Sequence, residues 1–220
     1  MSDYINEVPH GQIDIWIDVV CPFCFLAKKK LESALKKADC NVKINWHSFQ
    51  LDPLFPDQTS MPSLEYLKEK KGLSEKEIEE MCTPLILEGK RYGIEFDFNN
   101  SSNFNTFKAH RLIHWAKAYD KSEVLTEAFM KACFCDGIDL SVEKNLYDVI
   151  KRIGLDVVTA ENVLNTDAYI QNVLDDIKLS KKLDIKGVPS FISDKKLMLY
   201  GAPEEALFSK MIIEACFAEC

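Results

Sequence analysis

Apolar residues alternate with acids in Ile13-Asp14-Ile15-Trp16-Ile17-Asp18-Val19, the period-two pattern of a strand running from Ile13 to Val20. The period then lengthens. Cys24, Ala27, Leu31, Ala34, Leu35 and Ala38 recur at helical spacing and predict a helix from Pro22 to about Ala38. Pro22 suits its first position, where a missing N–H removes no bond. A strand from Val42 to Phe49 completes a βαβ unit. Pro53, Pro56 and Pro62 break the regularity, and everything from about Ser63 to Leu183 reads as helices. Ser74-Glu75-Lys76-Glu77 is a capping box opening a helix that Ile78, Met81 and Leu85 continue, with Pro84 expected to kink it or restart it from Thr83. Further helices are marked by Ala109, Leu112, Ile113 and Ala116, by Leu125, Ala128, Phe129 and Ala132, by Leu146, Val149, Ile150 and Ile153, and by Tyr169, Val173, Leu174 and Ile177. Strand character returns at Ser190 to Ser193 and Leu197 to Tyr200 around the turn Asp194-Lys195-Lys196, before a closing helix from Pro203. The order βαβ, helices, ββα requires the two ends of the chain to share one sheet, with the helical block inserted between them.

Composition narrows the function classes. A chain of 220 residues with 47% hydrophobic content can bury a substantial core. Its formal charge of −8 and the lack of a basic stripe argue against nucleic acid or an anionic membrane as partner. The N-terminus has no basic region ahead of an apolar run, and no stretch is apolar enough to span a bilayer, so the expected address is cytoplasmic. In that compartment the eight cysteines are expected to be mostly thiols. Lys28, Lys29 and Lys30 read as a solvated helix face, with local help to a thiolate as the sharper alternative.

The chemistry concentrates in Cys21-Pro22-Phe23-Cys24, placed between the first strand and its helix. The two thiols lie within one turn and can close a small disulfide. Cys21 falls at the helix start, where unpaired N–H groups and the dipole favour an anion. Sites of this kind lower the attacking thiol from about 8.5 to roughly 3.5–7.5. Cys21 is therefore the expected nucleophile, and Cys24, on the buried side of the helix, the resolving thiol. A zinc site is the metal alternative, but Cys133 and Cys135 have the wrong spacing to complete it, and no metal is expected. Cys40 and Cys82 read as small packing thiols. Cys216 and Cys220 share a helix face and are a candidate secondary redox pair, against a buried Cys216 and a frayed terminal Cys220 as the plainer reading. Trp16, Trp46 and Trp115 read as core anchors. His110 and His114 stand four apart on one helix with no partner placed beside them by sequence, and read as packing or capping groups.

Three stretches carry a family resemblance: Asp18 to Lys28 around the cysteines, Ala109-His110-Arg111-Leu112-Ile113-His114-Trp115-Ala116, and Gly187-Val188-Pro189-Ser190-Phe191. Together they resemble the DsbA-like branch of the thioredoxin superfamily, in its FrnE-like group, which is similar to 2-hydroxychromene-2-carboxylate isomerases and kappa glutathione transferases. The resemblance covers nearly the whole chain. It implies an α/β thioredoxin-like fold with a large all-helical insertion: a discontinuous thioredoxin-fold domain of residues 1–60 and 180–220, and an inserted helical domain of residues 61–179. It implies that Pro189 is a cis proline beside the cysteines and that Val188 pairs through its backbone with an extended substrate, Pro22 and Phe23 completing the positioning set. It also implies that the His110–His114 helix faces the active-site side, which makes these histidines candidate substrate contacts.

The expected function is thiol–disulfide exchange with protein or low-molecular-weight thiols and disulfides. No tightly bound cofactor is required, because the cysteines carry the electrons, and glutathione is a candidate reductant. Two alternatives stand beside it. A glutathione-dependent isomerase or transferase is disfavoured because those relatives use serine where this chain has Cys21, and a non-catalytic chaperone-like binding protein would use the helical block alone. Oligomeric state is not readable.

Overall fold

A computed structural model of the protein describes residues 11–38, 41–193 and 198–216. β1 (Gly11–Ile17) lies between β2 (Val42–Ser48), its parallel neighbour, and β5 (Ser190–Ser193), its antiparallel one. β6 (Met198–Tyr200) pairs antiparallel with β5, giving the order β2-β1-β5-β6. The two ends of the chain thus share one sheet. α1 (Pro22–Lys37) crosses from β1 to β2, and α9 (Glu205–Cys216) packs on α1 and β1. Alternation puts Gly11, Ile13, Ile15 and Ile17 on the face that α9 covers. A Cβ at Gly11 would lie 2.1 Å from the Ala215 carbonyl oxygen, so the helix backbone approaches this closely because residue 11 has no side chain.

Between β2 and β5 run α2 (Ser63–Glu69), α3 (Glu75–Arg91), α4 (Phe107–Ala116), a 3-10 turn (Lys117–Tyr119), α5 (Ser122–Phe134), α6 (Glu143–Arg152), α7 (Val157–Asn165) and α8 (Ile170–Lys182). The capping box forms as read, with the Glu77 carboxylate accepting from Ser74 N–H at 2.8 Å. α3 does not restart at Thr83: it runs through Pro84, whose exposed position leaves the carbonyl freed at Glu80 facing water. The segment is also not wholly helical. β3 (Ser60–Pro62) pairs antiparallel with β4 (Ser102–Phe104), strands of three residues that are too short to show a period. Tyr169 does not lie inside α8 but caps it, with φ of 62°.

Lys28 and Lys30 overturn the expectation of a solvated face. Both are buried, because α1 has neighbours on more than one side. Lys28 reaches Glu127 of α5 at 2.8 Å and Glu123 at 3.3 Å, and also pairs with Glu32. Lys30 pairs with Glu88 of α3 at 2.9 Å. Burial works against the Lys28 ammonium, yet its bonds to Glu127 and Glu32 outweigh burial and hold it above the ordinary lysine value.

On the other sheet face, Trp16 stacks on His47 with centroids 4.5 Å apart and donates its indole N–H to the Asp176 carbonyl of α8. His47 sits between Asp176, at 2.7 Å, and Asp14, at 2.9 Å. Asp176 also accepts from Ser48 N–H at 2.8 Å and meets His114 of α4 at 3.0 Å. The cluster ties β1 and β2 to α4 and α8. Burial alone would deprotonate His47, but the two carboxylates prevail and raise it to about 9; His114, mainly through burial, is held below 6.5. A histidine raised in the folded state contributes stability that is complete below about 6.5 and lost as pH climbs through about 9. Unfolding free energy is expected to drop by about 2–3 kcal/mol between pH 6 and pH 9.5, and a His47→Gln protein to lack that slope. Denaturant titrations across this range check it, and an equal slope in both proteins would contradict it.

Candidate active site

β1 ends at Ile17, earlier than its apolar pattern, and the chain turns sharply, with Cys21 N–H donating to the Asp18 carbonyl at 3.1 Å. That turn sets Cys21 at the cap of α1, in extended conformation, with Pro22 beginning the helix. The Cys21 thiol donates to the Val188 carbonyl across 3.5 Å. The Val188–Pro189 peptide is cis, and the segment is held by the bond from Gly201 N–H to the Pro189 carbonyl at 2.9 Å. Residues 167 positions apart in sequence therefore meet at one sulfur.

Cys21 opens on a cleft of about 230 Å³ whose wall includes Val20, Pro22, Phe23, Leu67, Phe98 and Val188. Cys24 is absent from that wall. It is 1% exposed, and its N–H donates to the Cys21 carbonyl at 3.0 Å. Burial holds its thiol well above the ordinary value, and the bond and charge of Cys21 push it further. Both cysteines are buried, Cys21 at 4% exposure, but Cys21 lines the cleft and Cys24 does not.

Asp18 is the residue that sequence reasoning passed over. The strand alternation makes it a solvated acid, whereas it is completely buried in the turn before the cysteines. One carboxylate oxygen accepts from Leu51 N–H at 2.8 Å, and the other meets His110 Nε2 at 3.3 Å. Its charge adds to the upward push on Cys24, while a bond through its backbone acts the other way. The signal was an acid three residues ahead of a cysteine at a helix start, but acid spacing alone does not separate an inward side chain from an outward one.

Both histidines lie away from the cleft. His110 is buried against Asp18 and His114 against Asp176 and Ser48, so neither imidazole lines the wall beside Cys21. The position for direct substrate contact is not the one they occupy, because carboxylates distant in sequence hold them inside. Pro22, Phe23 and Val188 do line the cleft, and Pro189 is buried behind it.

Among the described residues, Cys82, Cys133, Cys135 and Cys216 do not join the site. Cys133 donates to the Ser102 carbonyl at 3.3 Å, and burial pushes its thiol up to about 12. Burial raises Cys82 and Cys135 as well. Cys216 is buried on α9; Cys40 and Cys220 lie outside the described residues. Among the described residues no group of three or more His, Cys, Asp or Glu side chains could hold a metal ion, and no helix is long and apolar enough to cross a membrane.

Residues 12–212 match the DSBA-like thioredoxin domain family. The uncharacterized protein YwbO of Bacillus subtilis (strain 168) is 28% identical over 205 residues, which cover 91% of this chain and 94% of YwbO. The crystal structure of the probable DsbA oxidoreductase SCO1869 from Streptomyces coelicolor superposes with a TM-score of 0.91 at 27% identity, covering 96% of this chain and 92% of that one. A 2-hydroxychromene-2-carboxylate isomerase gives a TM-score of 0.72 at 17% identity over 93% of this chain and 96% of its own, a likeness of fold.

Proposed function

Since the chain belongs to the DSBA-like thioredoxin domain family, we propose that its Cys21–Cys24 pair carries out thiol–disulfide exchange. The Cys21 thiolate attacks one sulfur of a substrate disulfide R–S–S–R′, forming a Cys21–S–S–R bond and expelling R′–S⁻, which takes up a proton. Cys24, having lost its proton, then attacks the Cys21 sulfur and expels R–S⁻. The substrate gains two electrons and the protein is left with a Cys21–Cys24 disulfide. The steps reverse when a substrate dithiol is oxidised.

What supports this function most directly is the arrangement of the two sulfurs, one at a helix start on a cleft and the other sealed behind it. The order of attack follows from access. It follows also from charge, because a Cys21 thiolate raises its neighbour, and that opposition ends once Cys21 is committed to a mixed disulfide. A serine-based isomerase reading lacks comparable support, since both motif positions are cysteine.

Reduced protein mixed at pH 7 with 2-hydroxyethyl disulfide should lose two hydrogens in mass, with peptide mapping locating the new bond between Cys21 and Cys24. Protein that stays fully reduced at neutral pH, or that oxidises elsewhere, would overturn the assignment.

A further inference from the structure

Ser63 opens α2 and lines the same cleft as Cys21. It is 5% exposed, and its hydroxyl has no hydrogen-bond partner among the described residues, although its own N–H donates to the Ser101 carbonyl at 2.9 Å. A buried hydroxyl without a partner costs about 1–3 kcal/mol, so its retention calls for a reason. Asn103 aside, the other polar groups on the wall are already engaged. Tyr66 donates to Asp52 at 3.0 Å, the Lys71 ammonium lies 5.4 Å from the Tyr66 ring centre, and Cys21 is bonded to Val188. Most of the remaining wall is apolar, with Phe23, Leu67, Met81, Phe98 and Phe134 facing a space that holds roughly eight water volumes. That is room for one large side chain.

We propose that Ser63 Oγ is the anchor for a polypeptide client, donating to the main-chain carbonyl of the residue beside the client's attacked cysteine while that residue's side chain fills the apolar cleft. This rests on the exchange chemistry above and names its substrate class: disulfides in polypeptides with a large apolar residue flanking the cysteine. Ser63 makes and breaks no covalent bond. Glutathione disulfide fits poorly, because its flanking groups bring carboxylates and no apolar side chain, Lys71 is the one cation on the wall among the described residues, and the chain carries a net charge of −8.

The test compares reduction of two disulfide-linked peptides, identical except for Leu or Asp beside the cysteine, with reduction of glutathione disulfide and 2-hydroxyethyl disulfide. Wild-type protein should prefer the Leu peptide by roughly ten-fold or more in kcat/KM, and Ser63→Ala should lose roughly ten-fold on that peptide, mainly through KM. The same variant should stay within about two-fold of wild type on 2-hydroxyethyl disulfide and should not melt earlier, since removing an unpartnered hydroxyl deletes no bond. Ser63→Thr, which keeps the hydroxyl, should restore the peptide rate. Equal losses on every substrate, an unchanged rate on the Leu peptide, or no preference between Leu and Asp would overturn the assignment. A wild-type protein inert even toward 2-hydroxyethyl disulfide would instead sink the exchange chemistry itself, so the two failures are distinguishable.

Discussion

A Cys24→Ser protein is expected to stop turning over and to accumulate as a covalent adduct with its substrate. The first attack needs only Cys21, which faces the cleft and keeps its bond to the Val188 carbonyl in this variant. Resolution needs a second sulfur behind the first. On the proposed exchange chemistry that sulfur is Cys24, whose thiol is held well above its ordinary value by burial and by Cys21. A serine hydroxyl does not displace a thiol from a disulfide, and an external thiol must instead approach through a cleft the bound substrate already fills. Turnover should therefore fall below detection while single-turnover release of the first thiol persists, and non-reducing mass analysis should show the adduct disappearing when dithiothreitol is added. Sustained turnover would mean that Cys24 is not the resolving thiol, and absence of both adduct and first-thiol release would mean that Cys21 is not the nucleophile.

Asp176→Ala is expected to be the more damaging change to stability. Its carboxylate joins His47, His114 and the Ser48 N–H, and those partners hold it far below the usual carboxylate range against the opposing effect of burial. Removing it strands the half-buried His47 charge with only Asp14 to balance it. Breaking a buried pair in this way costs about 3–5 kcal/mol. For a chain of this size the melting temperature should fall by roughly 6–20 °C. The depressed Asp176 and the raised His47 are two views of one interaction and are counted once. Asp176→Asn, which still offers an oxygen to Ser48 N–H, should lose less than Asp176→Ala, and denaturant midpoints of both variants give the comparison. A loss under 1 kcal/mol in the alanine variant would show that the cluster is solvated in solution.

Local signals were legible wherever a periodic face and its chemistry lay on the same element. Pro22 beginning α1, the inward Cys24, the Ser74–Glu77 capping box and β5 all follow from spacings of a few residues. The features that escaped depend on partners far away in the chain. Lys28 looks like a surface lysine until Glu123 and Glu127 arrive from α5, and Asp18 looks like an outward acid until Leu51 and His110 close on it. Ser63 carries no sequence signal, since its significance is the absence of a partner in a place that only the assembled cleft creates. β3 and β4 were hidden for a different reason, because runs of three residues, the first of them ending at a proline, cannot display alternation.

The meeting of Cys21 with Val188 also fixes a schedule for biosynthesis. Their 167-residue separation means that a growing chain must run on the order of 10–30 s past its dithiol before the carbonyl opposite it exists. During that interval neither the Val188 wall nor the β5 neighbour of β1 is available, and Cys24 lacks the enclosure that later keeps its thiol protonated. The nascent chain thus exposes two ordinary cysteines to whatever oxidants and thiols surround the ribosome. The two thiols are made early and housed late.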